Sequence, residues 1–175
     1  YADKKGYTSP QHRISESFRE LLGKYEGRIL FNIYDSQLYR IQELLTEIEK
    51  SDRKVIIMGK TLEVLITNCI ERGYINFDMT KLSNIRNVND PGVVVIISDE
   101  REKTFSNIKR IIRGTDKFIK LNRDDTVVFA SQVYDGMEKT ATDVFDEVAK
   151  LGANLIIISK SYLSLHASRE DLMLM

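Results

Sequence analysis

The chain has 175 residues, and its 26 Lys and Arg balance its 26 Asp and Glu to a formal net charge of zero. This balance excludes a basic field over the whole chain, so any binding of nucleic acid needs a local patch. The one cysteine, Cys69, excludes an internal disulfide and is typical of the reducing cytoplasm. The two histidines are too few for a two-metal hydrolase site. No apolar run reaches the ~20 residues of a membrane span.

Strand and helix patterns alternate along the chain. The spacing of apolar residues predicts helices over residues 11–25, 37–50, 61–72, 104–113 and 138–151, the last with Gly152 as its C-cap. Five β-branched apolar runs predict strands over Ile29–Ile33, Val55–Met58, Val93–Ile97, Val127–Ala130 and Leu155–Ile158. Because these runs are continuous rather than alternating, we expect each strand to be covered on both faces, as in a parallel sheet. The order predicts an α/β fold, a three-layer α/β/α sandwich with a five-stranded, mainly parallel sheet and right-handed crossovers.

Two features interrupt this regular order. Residues 73–91 form one long irregular stretch, which an Asn-rich turn closes before the third strand. The chain starts at Tyr1 without an initiating Met and stops inside the helix-like run SREDLMLM. We therefore expect a segment excised from a larger protein, although a disordered or proteolysed terminus would explain the same ends.

Polar residues follow each predicted strand, at the edge where parallel sheets bind ligands. The five segments are residues 34–37, 59–61, 98–100, 131–132 and 159–161. Helix N-termini start there, and Lys60 and Lys160 add positive charge, so the edge would suit an anion such as phosphate. Ordinary helix capping explains any one of these residues as well. The Gly-Lys-Thr run at 59–61 lacks the upstream glycines of a nucleoside triphosphate loop, so we discount that ligand.

Five segments, in the same order along the chain, resemble the ribonuclease J family, a metallo-β-lactamase nuclease with an inserted β-CASP domain. They are ADKKGYTSPQHRI at residues 2–14, the stretch from Gly27 to Glu63, NRDDTVVFASQVYDGMEK at 122–139, LGANLIII at 151–158 and SYLSLHASREDLMLM at 161–175. The last segment is similar to the family motif HVSGHASQEELKLM. The resemblance implies that residues 1–175 are a single β-CASP domain, flavodoxin-like or Rossmann-like in architecture, excised from a larger metallo-β-lactamase-type protein.

The same resemblance implies a function in RNA processing and decay. The β-CASP domain of the family clamps single-stranded RNA against the metallo-β-lactamase domain of the same chain, which carries zinc and acts as an exo- or endoribonuclease. This chain would therefore hold no cofactor and would hydrolyse nothing alone. A ribonuclease J paralogue is a further candidate partner, a membrane is not, and the expected compartment is the cytoplasm.

Eight candidate contact residues follow from the resemblance. Carried over by position, RNA or phosphate contacts fall on Ser164, His166, Ala167, Ser36, Arg40, Gly59, Lys60 and Ser131. Hydroxyls, an imidazole and backbone N–H groups are suitable partners for a phosphate. Tyr34, Tyr134 and Tyr162 fall near the same edge and could stack bases, although tyrosines in such positions are more often packing residues.

The chain departs from the family at several motif positions. Tyr162 replaces the first His of the terminal motif, and Leu165 replaces its Gly, where a side chain adds bulk near an anion. Residues 99–104 replace the Gly-Ser-Gln-Gly-Glu-Pro turn, whose acidic residue falls on Lys103, and residues 133–135 replace Pro-Ile-Pro. We therefore expect a paralogue with weak or no catalysis in a structural or regulatory role, or else a divergent but active enzyme.

Two interpretations from other classes stay open. A module that only assembles with a catalytic paralogue would explain the neutral charge and the altered motif. A phosphoacceptor receiver domain shares the five-stranded plan and would use Asp35, Asp99, Ser131 and Lys160, although the paired acids expected after its first strand are absent.

Overall fold

The computed structural model describes residues 14–99, 105–158 and 169–173. In chain order the strands are β1 (Ile29–Tyr34), β2 (Val55–Met58), β3 (Val94–Asp99), β4 (Thr126–Phe129) and β5 (Asn154–Ile157). The α-helices are α1 (Ile14–Lys24), α2 (Leu38–Glu49), α3 (Lys60–Glu71), α4 (Ser106–Ile112), α5 (Glu138–Leu151) and α6 (Arg169–Met173). Two short 3₁₀ turns, Met79–Lys81 and Ile85–Asn87, lie between α3 and β3. The predicted strands and helices are confirmed, and their described bounds shift by at most three residues.

All five of these strands lie in one parallel sheet, in the order β2-β3-β1-β4-β5. The central strand is β1, in which Ile29 pairs with Val94 of β3 on one side and with Thr126 of β4 on the other. The predicted α/β fold class with a five-stranded parallel sheet is thus confirmed. The strand order is neither the 2-1-3-4-5 order of flavodoxin nor the 3-2-1-4-5-6 Rossmann order, because β3 lies between β1 and β2.

Each face of the sheet has its own apolar core. Side chains of successive strand residues alternate between the two faces. Phe31 and Ile33 of β1 pack in the first core, with α1, α2 and α3. Leu30 of β1 packs in the second core, with α4 and α5. Because helices cover both faces, the strands need apolar residues at nearly every position, which explains the continuous runs in the sequence.

The irregular segment between α3 and β3 carries the chain round one edge of the sheet. The steps from β3 to β4 and from β4 to β5 cross the sheet in one direction, and their helices, α4 and α5, pack in the second core. The step from β2 to β3 runs in the same direction, yet its helix, α3, packs in the first core. Leu82 then bridges Val55 along the outer edge of β2, and Val88 packs in the second core. The simple right-handed crossover expected for every βαβ unit therefore does not describe this step.

Two arginines link the loops at the amino edge of the sheet, where the strands begin. Arg28 donates from Nε and Nη2 to the Asp125 carboxylate at 2.8 and 2.6 Å, and from Nη1 to the Val88 carbonyl at 2.9 Å. The carbonyls that accept hydrogen bonds from Arg53 belong to Leu22, Tyr25, Gly27 and Gly92. The side chains of Arg28 and Asp125 are each only 4% exposed, so this ion pair is part of the folded interior.

Candidate functional site

A cleft of about 310 Å³ opens at the carboxyl edge of the sheet, and we call it the rim cleft. Its lining residues are Asp35, Gly59, Lys60, Thr61, Leu62, Ser98, Ser106, Asn107 and Arg110. They come from the ends of β1, β2 and β3 and from the helices that follow β2 and β3. The strands β1 and β2 lead into helices on the first face, whereas β3 leads into α4 on the second. The chain therefore diverges here, as at the switch points where open α/β sheets bind ligands.

The turn from β2 to α3 supplies groups that suit an anion. Gly59 has φ +133°, a backbone conformation that residues with a side chain rarely adopt. The 12-residue helix α3 begins at the exposed Lys60. The first intrahelical bond runs from the Glu63 N–H to the Gly59 carbonyl at 2.9 Å. Because Gly59 has no side chain with which to cap the helix, the first N–H groups of α3 remain available to a ligand, next to the charge of Lys60.

Asp99, at the end of β3, is completely buried and anchors the opposite wall of the rim cleft. Its carboxylate accepts hydrogen bonds from Asn32 Nδ2 at 2.7 Å, from the Asn107 N–H at 2.9 Å and from the Ser106 hydroxyl at 3.3 Å. Burial raises the pKa of Asp99 above its ordinary value, although these hydrogen bonds oppose the shift. The network holds the start of α4 on the sheet and thereby positions Asn107 and Arg110 at the cleft.

A strained residue precedes α4. Phe105 has φ +65°, in the left-handed region that phenylalanine rarely adopts. Its ring is 3% exposed and packs edge-to-face against Phe129 and Phe145. Burial of the ring offsets the backbone strain, which is on the order of 1–3 kcal/mol. The same aromatic cluster therefore fixes where α4 begins.

The half of the carboxyl edge between β1 and β4 is filled by its own side chains. Ser131 Oγ accepts from the Tyr34 N–H at 2.9 Å and donates to Gln37 Oε1 at 2.8 Å. Arg40 Nη1 donates to the same Gln37 oxygen at 2.9 Å and to the Ala130 carbonyl at 3.0 Å. Arg40 is 5% exposed, and burial lowers its pKa to about 10. In this structure Arg40 and Ser131 therefore hold the turn after β1 against β4.

The structure separates the predicted contact residues into three groups. Gly59 and Lys60 line the rim cleft, and Ser36 is exposed next to Asp35 of that cleft. Arg40 and Ser131 lie in the buried network between β1 and β4. The candidates that lie outside the described residues are Ser164, His166 and Ala167, together with Lys160 and Tyr162. Their contacts with RNA remain predictions.

The two described tyrosines near this edge pack on each other. The rings of Tyr34 and Tyr134 are stacked, with centroids 4.9 Å apart and planes 22° apart. Tyr34 is 1% exposed, so a base has no access to its ring. Its burial favours the packing explanation over base stacking.

The burial of Asp99 is an argument against the receiver interpretation. A phosphoacceptor aspartate must be reached by a phosphodonor, and its carboxylate oxygen must be free to attack. Asp99 is 0% exposed, and three donors bind its two carboxylate oxygens. This geometry therefore disfavours the receiver interpretation.

Sequence reasoning missed the polar residues that α4 supplies to the rim cleft, among them Asn107 and Arg110. These two lie three residues apart on α4, which places them on the same face of the helix. Arg110 Nη2 donates to Asp116 Oδ2 at 2.9 Å, yet 55% of the Arg110 side chain stays exposed. The available clue was the composition of residues 109–123, where six Lys or Arg accompany a single acidic residue.

The described part of the chain offers neither a metal site nor a membrane span. Within it, no group of three or more His, Cys, Asp or Glu side chains is placed to hold a metal ion. Nor does any helix there combine the length and the apolar composition needed to cross a membrane.

Comparisons with known proteins match nearly the whole chain. The model of the family described as "Ribonuclease J, beta-CASP domain" matches residues 26–148. Ribonuclease J 1 of Streptococcus pyogenes is 24% identical over 174 residues, which cover 97% of this chain and 31% of that protein. Ribonuclease J2 of Bacillus subtilis is 25% identical over 178 residues, with 99% and 32% covered, and Ribonuclease J 2 of Staphylococcus epidermidis is 26% identical over 180 residues, with the same coverage. The chain spans about a third of the length of these relatives.

Proposed function

The chain belongs to the ribonuclease J β-CASP family, and from this membership we propose that its rim cleft holds the sugar-phosphate backbone of single-stranded RNA. In this proposal residues 1–175 form one β-CASP domain of a longer parent chain. A metallo-β-lactamase domain of that parent is the partner against which the RNA is clamped. The parent is a zinc-dependent exo- or endoribonuclease of RNA processing and decay in the cytoplasm, and the β-CASP domain alone hydrolyses nothing.

One observation carries this proposal, the convergence of hydrogen-bond donors and cations on a single cleft of a chain with zero net charge. Lys60 and Arg110 are the two cations among the lining residues, against one carboxylate, that of Asp35. The start of α3 adds free N–H groups. Hydroxyl groups come from Thr61, Ser98 and Ser106. Phosphate oxygens accept hydrogen bonds from all these groups, and the dipole of α3 also favours negative charge at its N-terminus.

The chain's own residues bind and orient the RNA in this proposal. Lys60 and the start of α3 hold a phosphate, and the buried Asp99 keeps α4, with Arg110, in place beside it. Contacts of this kind position a nucleic acid without reading its bases, so the rim cleft confers no base preference. The metal ion of the partner domain supplies the activation of water for phosphodiester hydrolysis.

Assembly with a catalytic paralogue is a second candidate role. Arg40 and Ser131 are 5% and 9% exposed, so two of the contacts carried over from the family are not accessible to RNA here. This burial favours a domain whose RNA contacts are reduced. The weak catalysis expected from the altered motifs remains a prediction, because Tyr162 and Leu165 lie outside the described residues.

Binding of the full-length parent protein to 5′-monophosphorylated single-stranded RNA tests the proposed role of the rim cleft. Lys60→Ala removes one cation from the cleft. Lys54→Ala is the matched control, because Lys54 is also exposed but lies just before β2, at the amino edge. We expect Lys60→Ala to reduce the slope of log K against log salt concentration by about 0.7, the value for one phosphate contact on a single strand. Lys54→Ala should leave the slope unchanged.

Crosslinking to the same RNA separates the two candidate roles. Ser164→Ala and His166→Ala are expected to reduce crosslinks to this domain if the contacts implied by the resemblance are made. Identical salt slopes for Lys60→Ala and Lys54→Ala would overturn the rim contact. A complete absence of crosslinks to the domain would favour assembly without RNA binding.

A further inference from the structure

A groove continues from the rim cleft along the second face of the molecule to its amino edge. A cavity of about 680 Å³ shares Gly59, Lys60, Asn107 and Arg110 with the rim cleft. A third cavity, of about 370 Å³, shares Asp116, Lys117 and Phe118 with the second one and extends to Lys120. The carbonyl of Lys120 accepts a hydrogen bond from Arg28, which places this end of the groove at the amino edge. We call the part lined by Arg110, Lys117, Phe118 and Lys120 the basic groove.

The basic groove has a local positive charge that the composition of the whole chain hides. Residues 109–123 contain six cations, which are Lys109, Arg110, Arg113, Lys117, Lys120 and Arg123. The single carboxylate of this stretch, Asp116, has a side chain only 2% exposed. It accepts hydrogen bonds from the N–H groups of Phe118 and Ile119 at 2.9 and 3.1 Å and from Arg110. Asp116 lines both cavities, but its almost fully buried carboxylate is engaged by these hydrogen bonds. Lys117 and Lys120 are exposed, and the one other carboxylate on the cavity walls is that of Glu63, in the larger cavity.

An exposed aromatic ring lies among these cations. Phe118 is 54% exposed, and it lines both the cavity of about 680 Å³ and the cavity of about 370 Å³. The Asp116 turn fixes the backbone of Phe118, so the ring is presented from a defined position. Met58 and Ile85 add apolar surface to the larger of these two cavities. A half-exposed phenylalanine between lysines is the combination that proteins use to stack bases while cations follow the phosphates of a single strand.

We propose that the basic groove is a second contact surface for single-stranded RNA, which binds nucleotides beyond those held at the rim cleft. The inference rests on the proposed function, because the same RNA is taken to occupy the cleft where the groove begins. Lys117 and Lys120 contact phosphates, and Phe118 stacks on one base. The surface adds affinity for longer RNA and takes no part in cleavage. An acidic peptide would use the two lysines but would gain little from the phenylalanine, so charge and aromatic character together favour RNA.

Binding of two RNA lengths to the full-length parent protein tests this inference. The probes are 5′-monophosphorylated oligouridylates of four and fifteen nucleotides, measured by fluorescence anisotropy with a chelator present to prevent cleavage. Phe118→Ala is expected to weaken binding of the fifteen-nucleotide RNA by roughly 5- to 150-fold, the range for loss of one stacked base. Lys117→Ala with Lys120→Ala should reduce the salt slope for that RNA by about 1.4, the value for two phosphate contacts. Binding of the four-nucleotide RNA, which occupies only the rim cleft, should stay unchanged.

Two controls keep the result interpretable. Arg113→Ala removes a cation from the same segment, but Arg113 pairs with Glu147 at 2.9 Å on the surface between α4 and α5, so it should not affect RNA binding. Phe118→Trp keeps a stacking ring and should retain binding of the longer RNA. Thermal unfolding of each variant checks that the fold is intact.

Three outcomes would overturn the inference. Unchanged binding of the fifteen-nucleotide RNA by the groove variants, together with weaker binding of both RNAs by Lys60→Ala, would remove the basic groove and leave the rim cleft standing. No effect of any variant on either RNA would remove the proposed function as well. Displacement of the longer RNA by polyglutamate, combined with no effect of Phe118→Ala, would assign the groove to an acidic peptide.

Discussion

The arginines of the amino edge and the cations of the rim cleft use positive charge in opposite ways. At the amino edge, Arg28 and Arg53 bind Asp125 and backbone carbonyls of the chain itself, and Arg28 is only 4% exposed. At the carboxyl edge, Lys60 is exposed and Arg110 keeps more than half of its side chain in solvent. The residue types carry the same charge, so their surroundings decide whether a cation stabilises the fold or is available to a ligand.

Chain direction explains this difference. In a parallel sheet with returning helices, the carboxyl edge collects helix N-termini with free N–H groups, and the amino edge collects C-termini with free carbonyls. Arg53 Nε donates to the Leu22 carbonyl in the last turn of α1 at 3.1 Å. Lys60 instead begins α3, where N–H groups and not carbonyls are free. Arg53 therefore finds acceptors within the fold, whereas Lys60 stands beside other donors. Arg40 is enclosed at the carboxyl edge because the Ala130 carbonyl at the end of β4 lies within its reach.

Open volume alone does not distinguish the two edges. The amino edge also has a cavity, of about 480 Å³, lined by the carboxylates of Glu26, Asp52 and Asp90 and by the cations Arg53 and Lys54. Carboxylates outnumber cations there, whereas the rim cleft has two cations and one carboxylate, so a phosphate is favoured in the rim cleft. The sign of the local charge is thus what favours the rim cleft over this cavity as the candidate site for RNA.

The largest expected effect is the loss of the buried ion pair at the amino edge. Arg28→Ala leaves the Asp125 carboxylate buried without its cation, which should cost about 3–5 kcal/mol of the free energy of unfolding. Arg113→Ala is the control, since it breaks an exposed pair with Glu147 and should cost less than about 1 kcal/mol. Urea denaturation measures both. Similar losses for the two variants would show that Arg28 is not the structural cation that the comparison of edges requires.

A close contact at the amino edge predicts the next largest effect. A Cβ atom at Gly27 would lie 2.3 Å from the Asp124 carbonyl oxygen, so Gly27→Ala should destabilise the protein by about 1–3 kcal/mol. Gly23, in the helix α1, has no atom within 4 Å of the added Cβ. Gly23→Ala should instead stabilise the protein by about 0.5–1 kcal/mol. Changes in the free energy of unfolding that have opposite signs for the two variants would confirm the tight packing of this edge, and equal changes would contradict it.

Ser131→Ala tests whether the half of the carboxyl edge between β1 and β4 is structural. The substitution removes the hydrogen-bond partner of the Tyr34 N–H and of Gln37, at a cost of about 1 kcal/mol, and should leave RNA affinity unchanged. Lys60→Ala should do the reverse, with weaker RNA binding and a change in unfolding free energy within about 0.5 kcal/mol. The two measurements are urea denaturation and RNA titration. Weaker RNA binding by Ser131→Ala at full stability would instead make Ser131 an RNA contact.

Two carboxylates should respond to pH in opposite directions. Burial raises the pKa of Asp99, so the folded state binds this proton more tightly than the unfolded chain, and the contribution to stability falls as pH rises through the raised pKa. Burial alone would also raise the pKa of Asp116, but hydrogen bonds from Phe118, Arg110 and Ile119 outweigh it and lower the pKa. The contribution of Asp116 is therefore present above its unfolded pKa and lost as pH falls below it.

Unfolding at several values between about pH 2 and 7, a range that extends below the ordinary aspartate pKa of about 3.9, measures these slopes against variants that cannot titrate. The stability of the wild type relative to Asp99→Asn should decrease with rising pH, and its stability relative to Asp116→Asn should increase. Slopes of the same sign would contradict the explanation that desolvation dominates the pKa of Asp99 whereas hydrogen bonds dominate the pKa of Asp116.

Local patterns were sufficient to predict the helices and strands. The continuous β-branched runs could be satisfied only by strands with both faces covered, and the structure places α1, α2 and α3 on one face and α4 and α5 on the other. Gly152 follows α5 at φ +80°, as expected for a helix C-cap. Such features depend on neighbours within a few residues, which the sequence displays directly.

Contacts between distant segments were not predictable in the same way. The hydrogen bond of Ser131 to Gln37 joins residues 94 positions apart, and that of Asp99 to Asn32 joins residues 67 apart. Nothing near Ser131 in the sequence indicates whether its hydroxyl will meet Gln37 or solvent. For the same reason, the residues at the strand ends could not predict that Arg110 of α4 lines the rim cleft.

The order and type of the elements, and the edge where a ligand would bind, follow from the amino-acid sequence, because hydrophobic periodicity and chain direction act over short distances. Which polar residues of that edge remain open to a ligand, and which become buried supports, follows from the folded arrangement alone. The reason is that the pairing of β1 with β3 and β4 decides which distant residues lie next to each polar group and can form hydrogen bonds with it. Lys60 and Arg40 show both results, one exposed beside the rim cleft and the other enclosed between β1 and β4.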